Sequence, residues 1–255
     1  MRHYLPFRVL TGLYVVLLPL SLMAFKSMPF PKEFSLNSYF MFPDVWQTVA
    51  YAGNWVAYFS LGFISILNIT NEYSLKTLRQ NIINGISRKD FYLSKIFFMG
   101  AVCLAATAYY VCLVFFFGSI FTETIYISRV YENSDYIFRY FLMCFSFSSL
   151  GFLLGMFFRK SGISLFLYFA YTLFIERIIR YLILEKILGS QLIGYMPANA
   201  TNDLTPFPIP KGAKSMVEDA SMKIFLNTTE AIITTVVFTI LFLYLAYLAL
   251  KNRDL

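Results

Sequence analysis

The sequence predicts an all-α integral membrane protein with six transmembrane helices. Of its 255 residues, 58% are hydrophobic and 14% are charged, whereas soluble domains contain about 45–50% apolar and about 25% charged residues. Six apolar segments are each long enough to cross a bilayer, which takes about 17–25 helical residues. The excess of Lys and Arg over Asp and Glu gives a net charge of +7. These basic residues lie in short clusters beside the apolar segments, as is typical of residues that orient a protein in a membrane. We therefore expect a lipid bilayer, and no nucleic acid, around this chain.

The predicted spans belong to a single transmembrane domain over residues 1–255. They cover approximately residues 9–25, 45–69, 96–121, 136–158, 161–182 and 231–250. The first has no small-residue cleavage site and is followed directly by Lys26, so we expect a retained span rather than a signal peptide. Cys103, Cys112 and Cys144 lie within apolar segments without metal-ligand or disulfide-framework spacing, which predicts small buried hydrophobic residues.

Residues 70–95 form the one long polar insert between two long apolar segments. Their pattern predicts an amphipathic helix over residues 71–86. Its apolar face comprises Leu75, Leu78, Ile82, Ile83 and Ile86, and its polar face comprises Lys76, Arg79, Gln80 and Asn84. Thr70 or Asn71 is expected to cap its start, with Glu72 in the first turn. Gly85 is expected to adopt the left-handed conformation at its end. By spacing alone, this helix could lie on the membrane surface or dock onto a protein partner.

A second helix is expected to start directly after the glycine. Ser87 and Asp90 have the spacing of a capping box, in which a side-chain oxygen satisfies the first turn of a helix. The insert should therefore comprise a short helix, a break at Gly85 and a helix that continues into the third span.

Three polar residues within the predicted spans are candidates for a translocation path. Asn54 lies near the middle of the second span, where a polar side chain facing lipid is costly, so we expect it to face another helix. Glu176 and Arg180 lie in the fifth span at i,i+4 spacing. They could form a local ion pair or line the outer mouth of a substrate path. The helical pattern continues through Gly189 and predicts a bent or interfacial outer helix, with a polar outer loop over residues 191–229 after it.

The fourth span contains Gly151 and Gly155, with two serines one turn earlier. Such a face of small residues allows two helices to approach closely. We expect it to serve packing within the subunit, and a dimer interface is the alternative.

The distribution of Lys and Arg predicts the side of the membrane on which each loop lies. Residues 70–95, the Arg159-Lys160 turn and the two termini carry basic residues at higher density than the opposite loops. Most basic residues of the opposite side lie in one long loop, which contributes little to topology. Both termini and the helix over residues 71–86 are therefore expected in the cytoplasm.

The sequence argues against an enzyme in the membrane. The 255 residues contain no GxxxxGK[ST] motif, which would bind a nucleotide's phosphates, and His3 is their only histidine. We expect no catalytic, cofactor-binding or metal site, so any process that this chain drives with ATP would take its energy from a partner. One class that fits these observations is a multi-span membrane protein that works without an ATPase, either a secondary transporter or a scaffold or sensor. Secondary transporters often show repeated halves, and no such repeat is evident here.

Several motifs resemble those of the permease subunits of ABC type-2 exporters. They are Asn71-Glu72 at the end of an apolar span, residues 74–81, residues 84–88, Phe91 with Lys95, the turn at 159–162, and the basic cap at 251–255. The resemblance implies that the helix over residues 71–86 is a coupling helix, which contacts a separate cytoplasmic ABC ATPase that binds ATP. It also implies a second permease subunit, in a homo- or heterodimer, and a place in the inner (cytoplasmic) membrane of a bacterial cell.

The resemblance also implies roles for particular residues and elements. The residues of ATPase coupling would be Glu72, Lys76, Arg79, Gly85 and Arg88. An outer re-entrant or interfacial helix would lie between spans five and six. The family usually carries a basic amphipathic elbow helix before its first span, and residues 1–8 depart from that pattern. The implied function is export of a substrate, driven by ATP that the partner hydrolyses.

Overall fold

A computed structural model describes residues 5–27, 36–180, 193–208 and 226–251 of this protein. These residues are mainly helical, and no strand occurs among them. In chain order the helices are α1 (Leu5–Lys26), α2 (Val45–Ser74), α3 (Thr77–Ile83), α4 (Arg88–Phe121), α5 (Ile127–Tyr131), α6 (Asp135–Phe158), α7 (Ser161–Ala170), α8 (Glu176–Ile178), α9 (Pro197–Asp203) and α10 (Thr228–Lys251). A π-helical turn, Tyr171–Ile175, joins α7 to α8.

Six helical segments among the described residues are long and apolar enough to cross a membrane, the number that the sequence predicted. The helices extend beyond the apolar segments, most of all α2 and α4. Helix α2 continues to Ser74 although its predicted span ends near residue 69, and α4 begins at Arg88, as the Ser87 cap predicted, ahead of the apolar span from residue 96. Backbone hydrogen bonds continue through polar residues, so hydropathy marks the apolar length of a helix and not its ends. Residues 181–182, the end of the predicted fifth span, lie outside the described residues.

The central pair of helices is α2 and α6. Within their most apolar stretches, 78% of the α2 residues and 72% of those in the α5–α6 segment are buried, against 22% or 28% in the other four spans. The outer spans expose large apolar side chains such as Phe97 and Ile240. A surface of this kind suits a lipid environment, because hydrocarbon solvates apolar side chains that water would not.

Glycines allow α2 and α6 to approach closely. A methyl group added at Gly151 would lie 2.6 Å from the Gly62 carbonyl oxygen, and one at Gly155 would lie 2.2 Å from Ile69 Cγ2. The small-residue face of α6 therefore packs against α2 of the same chain, as expected for packing within the subunit.

Gly151→Ala should lower the free energy of unfolding by about 2 kcal/mol, because the added methyl group meets backbone that cannot move aside without separating α2 from α6. Gly100→Ala is the matched control. Gly100 lies in α4 with nothing within 4 Å of the added methyl group, so the better helix propensity of alanine should leave stability unchanged or raise it by up to about 1 kcal/mol. Thermal unfolding of the purified variants measures both effects. Equal behaviour of the two variants would contradict the close contact.

The helices alternate in direction, so the connections lie at two ends of the bundle. The α3 end contains α3, the turn between α6 and α7, the start of α1 and the end of α10. The α9 end contains α9, α5 and the start of α2, where Trp46 Nε1 donates to the Val130 carbonyl (2.8 Å) and Gln47 Nε2 to the Pro206 carbonyl (3.2 Å).

The α9 helix lies where the sequence predicted a polar loop. The helix predicted through Gly189 falls largely on residues 181–192, outside the described residues. Within the predicted loop, α9 packs against α6 and α10 and buries most of its residues. Pro197 suits its first turn, where the missing N–H is not needed. A helix of seven residues has little stability of its own, so α9 depends on its contacts with the spans.

Candidate functional site

The predicted coupling helix is shorter than the sequence indicated. The prediction covered residues 71–86, with Thr70 or Asn71 as the cap and Glu72 in the first turn. The structure instead keeps these three residues in the last turns of α2 and begins α3 at Thr77. Lys76 separates the two helices in a left-handed conformation, with φ of 56°. This conformation is uncommon for a residue with a side chain, and the residue spacing does not signal it.

The end of α3 follows the prediction. Gly85 has φ of 95°, in the left-handed region that favours glycine. The Ile86 N–H donates to the Asn81 carbonyl (3.1 Å), as in a Schellman motif. Ser87 Oγ then accepts from the Asp90 N–H (3.1 Å) and caps the start of α4. The break and the restart of the helix are therefore both present.

A largely buried ion pair joins α2 to α4 beside α3. Lys95 Nζ donates to Glu72 Oε1 and, at 3.4 Å, to Asn68 Oδ1. The Thr77 hydroxyl, at the start of α3, donates to Glu72 Oε2 (2.5 Å). The side chains of Lys95 and Glu72 are only 9% and 17% exposed, so their attraction is stronger than that of an open surface pair. We call these four residues the Glu72 network; it connects two spans and α3.

The predicted apolar face of α3 is only partly buried. Leu78 is 1% exposed and Ile82 is half-buried. Leu75, Ile83 and Ile86 are instead 70%, 74% and 43% exposed. With only two turns, α3 presents one short apolar contact to the bundle, and its remaining apolar side chains are available to another surface.

Two of the predicted coupling residues lie on an exposed basic surface. Lys76 and Arg79 are exposed, and they line a cleft of about 690 Å³ between α3 and the α6–α7 turn, together with Arg159 and Lys160. The Arg159 guanidinium lies 4.9 Å from the centre of the Tyr73 ring. Basic side chains that converge on one cleft create a positive potential that attracts anionic partners.

Arg88, another predicted coupling residue, contacts the end of α10. Its Nη1 donates to the carbonyls of Leu250 (3.1 Å) and Lys251 (2.8 Å). The last carbonyls of a helix have no partner within the helix, and a cation there also interacts favourably with the helix dipole. Arg88 therefore ties the third span to the sixth, a role that the sequence did not indicate.

At the α9 end, Glu176 of the fifth span caps the short helix α9. Its Oε2 accepts from the Ala198 N–H (2.9 Å) and its Oε1 from the Asn199 N–H (2.7 Å). Glu176 is 2% exposed. The first N–H groups of a helix lack partners within it, and a carboxylate both satisfies them and favours the positive end of the helix dipole. The buried carboxylate thus has protein partners that hold α9 in place.

Arg180 and Asp203 meet Glu176 through Asn199. Arg180 Nη1 donates to Asn199 Oδ1, and Asn199 Nδ2 donates to Asp203 Oδ2 (3.0 Å). The N–H of Leu226, just before α10, donates to the same Asp203 oxygen (3.1 Å). Burial raises the pKa of Asp203 to about 6, although the Leu226 N–H, Arg180 and Asn199 favour its charged form. The sequence pattern indicated no such role for Asn199 or Asp203.

Asn54, the third candidate for a translocation path, lies near the other end of α9. Its Nδ2 donates to the Thr205 hydroxyl (2.8 Å), and the residue is 5% exposed. Its amide is satisfied by protein, although the partner follows a short helix instead of lying in a span. The candidates Asn54, Glu176 and Arg180 therefore lie around α9, at the opposite end of the bundle from the Glu72 network.

The Glu72 network and the Glu176 cap of α9 both hold helices in place, and neither brings reactive groups together. Within the described ranges, no group of three or more His, Cys, Asp or Glu side chains could hold a metal ion. The chemistry that the charged side chains supply is hydrogen bonding and charge pairing at helix ends. Such contacts can transmit a displacement from one helix to the next.

A comparison with curated proteins finds no match for this chain. A comparison with protein families matches residues 13–255 to the family described as "Protein of unknown function (DUF2705)". The matched residues contain the Glu72 network, the basic cleft and α9 with its cap. The chain therefore belongs to the DUF2705 family.

Proposed function

We propose that the chain is the membrane-spanning permease subunit of an ABC exporter, which moves a substrate across the membrane with ATP hydrolysed by a separate subunit. The observation that carries the proposal is the Glu72 network, which attaches α3 to both α2 and α4. An element that transmits motion from an ATPase to the spans must be short, have defined ends and be connected directly to those spans. Lys76 and Gly85 define the ends of α3, and the network supplies the connection.

The exposed surface of α3 suits a protein partner. Lys76 and Arg79 offer charges to an acidic groove, and Ile83 and Ile86 offer apolar area beside them. A mixture of apolar contacts and complementary charge is typical of specific interfaces between proteins. We propose that this surface binds the ABC ATPase, while Gly85 and Arg88 act indirectly by setting the positions of α3 and α4.

The proposal includes an orientation and an assembly. The α3 end, with the start of α1 and the end of α10, would face the cytoplasm, which the density of basic residues supports. The protein would reside in the inner membrane of a bacterial cell, paired with a second permease subunit as a homo- or heterodimer. ATP would bind to the partner subunits, so no enzymatic activity is assigned to this chain.

Arg79→Glu should weaken binding of the ATPase by about tenfold, because a charge reversal replaces attraction by repulsion at a rim contact. Affinity purification of the tagged protein from its native membrane, followed by detection of a co-purifying subunit with a GxxxxGK[ST] motif, measures the effect. Raising the salt concentration should weaken the wild-type complex in part, because salt screens exposed charges.

Arg129→Glu is the matched control for this experiment. Arg129 is exposed in α5 at the α9 end, so its reversal changes the net charge equally without touching α3. Equal pull-down with all three proteins, together with weaker binding of Arg79→Glu to anionic vesicles, would contradict the proposal. That result would indicate a helix on the membrane surface, in a secondary transporter, scaffold or sensor.

A further inference from the structure

A cavity of about 380 Å³ lies between the first turns of α1, the last turns of α2, and α3. One wall is apolar and includes Phe7, Leu10 and Leu67, and the other is polar and includes Asn68 and Glu72. Small-molecule sites commonly have volumes of about 300–1,000 Å³ and combine apolar walls with a few polar groups. The two walls therefore indicate a ligand with one apolar part and one polar part.

The polar wall offers a hydrogen-bond donor. The two carboxylate oxygens of Glu72 accept from Lys95 and Thr77. Asn68 Oδ1 accepts from Lys95 Nζ at 3.4 Å, which leaves the Nδ2 half of the amide for another partner. Asn68 is 6% exposed, and its Nδ2 has no hydrogen-bond partner among the described residues. Because a buried donor without an acceptor is costly, a ligand that supplies an acceptor would bind favourably.

The ligand that fits is uncharged. The charge of Glu72 is already balanced by Lys95, so an ion entering the cavity would lose its hydration without gaining an opposite charge. Water complements only the polar wall, because an ordered water needs two to four polar partners and the wall with Phe7, Leu10 and Leu67 supplies none.

The position of the cavity favours a lipid. Helix α1 has 22 residues, so at 1.5 Å per residue it is about 33 Å long, close to the roughly 30 Å of the hydrocarbon core. Its first turns therefore lie near the boundary between acyl chains and headgroups, the depth of the ester carbonyls of bilayer lipids. Leu5 and Val9, on the same turns, are 69% and 49% exposed, which places the cavity beside the lipid-facing surface.

We propose that this cavity binds an uncharged acyl-ester lipid. Asn68 Nδ2 is itself fully buried, so the Asn68 side chain turns toward the cavity and donates a hydrogen bond to the ester carbonyl. The acyl chain lies along Phe7, Leu10 and Leu67. Because Thr77 and Asn81 also line the cavity, the lipid holds α3 against α1 and α2. The site goes beyond the proposed export function and does not depend on it.

The test uses the 255-residue chain in lipid nanodiscs with a photoreactive analogue of 1-oleoylglycerol, and mass spectrometry maps the labelled positions. We expect labels to concentrate on the cavity lining. Leu10→Trp fills the cavity and should reduce labelling by about tenfold. Leu13→Trp is the matched control, because Leu13 lies on the same helix, is 43% exposed and is not among the lining residues; its labelling should equal that of the wild type.

Asn68→Leu keeps the side-chain volume, removes the donor and should reduce labelling by about fivefold, as expected for one hydrogen bond. Thermal unfolding checks that each variant is folded. If Asn68→Leu is unfolded, the comparison of Leu10→Trp with Leu13→Trp decides the outcome. Equal labelling of the Leu10 and Leu13 variants, or labels spread evenly over α4 and α10, would overturn the site. Equal labelling by a photoreactive oleic acid, which is anionic, would overturn the choice of an uncharged ligand.

Discussion

Glu176→Gln is expected to lower the free energy of unfolding by about 2 kcal/mol, and Glu176→Leu by about 4 kcal/mol. Both carboxylate oxygens of this buried side chain accept backbone N–H groups of α9. The Gln amide keeps one acceptor and turns a donor toward the second N–H. Leu leaves both N–H groups buried without an acceptor. Thermal unfolding of the purified variants measures the loss, and hydrogen exchange at residues 197–203 should rise because α9 loses its cap.

Glu132→Gln is the control for this prediction. Glu132 is exposed between α5 and α6, at the same end of the bundle, so its neutralisation should change stability by less than about 0.5 kcal/mol. If Glu176→Gln were as stable as the wild type and yet exported less substrate, the carboxylate would belong to the translocation path instead. Loss of stability would identify it as the structural cap that the geometry indicates.

Lys95→Met should cost about 3 kcal/mol of stability, because it leaves the Glu72 carboxylate largely buried without its cation. Combining it with Glu72→Gln should recover part of that loss, since no unpaired charge then remains. Unfolding measurements on the two single variants and the double variant give the coupling between the side chains. Additive losses would show that the ion pair contributes no interaction energy.

The double variant also separates stability from coupling. If the proposed function is correct, it should still bind the ATPase, because the exposed surface of α3 is unchanged. It should hydrolyse ATP with less export, because α3 has lost its connection to α2 and α4. Lys89→Met is the control: Lys89 is exposed at the start of the same helix, and its loss should affect neither stability nor export.

The parts of α3 that the sequence predicted depend on residues close together in the chain. The left-handed Gly85 and the Ser87 cap involve partners no more than five positions apart, and the preference of each residue type is enough to indicate them. The start of α3 was misplaced because Lys76 adopts a conformation that its residue type does not favour. Because the helix begins at Thr77, most residues of the apolar face predicted for a helix over residues 71–86 do not lie on one buried face.

The contacts that define both candidate sites join residues far apart in the chain. Glu72 and Lys95 are 23 positions apart, Glu176 and Asn199 are also 23 apart, and Arg88 contacts a carbonyl 163 positions away. With 21 basic and 14 acidic residues in the chain, opposite charge alone leaves too many pairings to choose among. Periodicity cannot reduce that number, because it describes one helix at a time.

By itself, the sequence determined the membrane class, the number of spans and the break and restart after α3. A bilayer requires apolar segments of a certain length whatever their neighbours are, and a glycine break or a serine cap acts within a few residues. Only the tertiary structure decided that α2 and α6 form the centre, that Glu72 connects three helices and that Glu176 caps α9. These outcomes depend on how closely the helices approach, as where Gly62 meets Gly151, and that approach is set by side chains packing across the bundle.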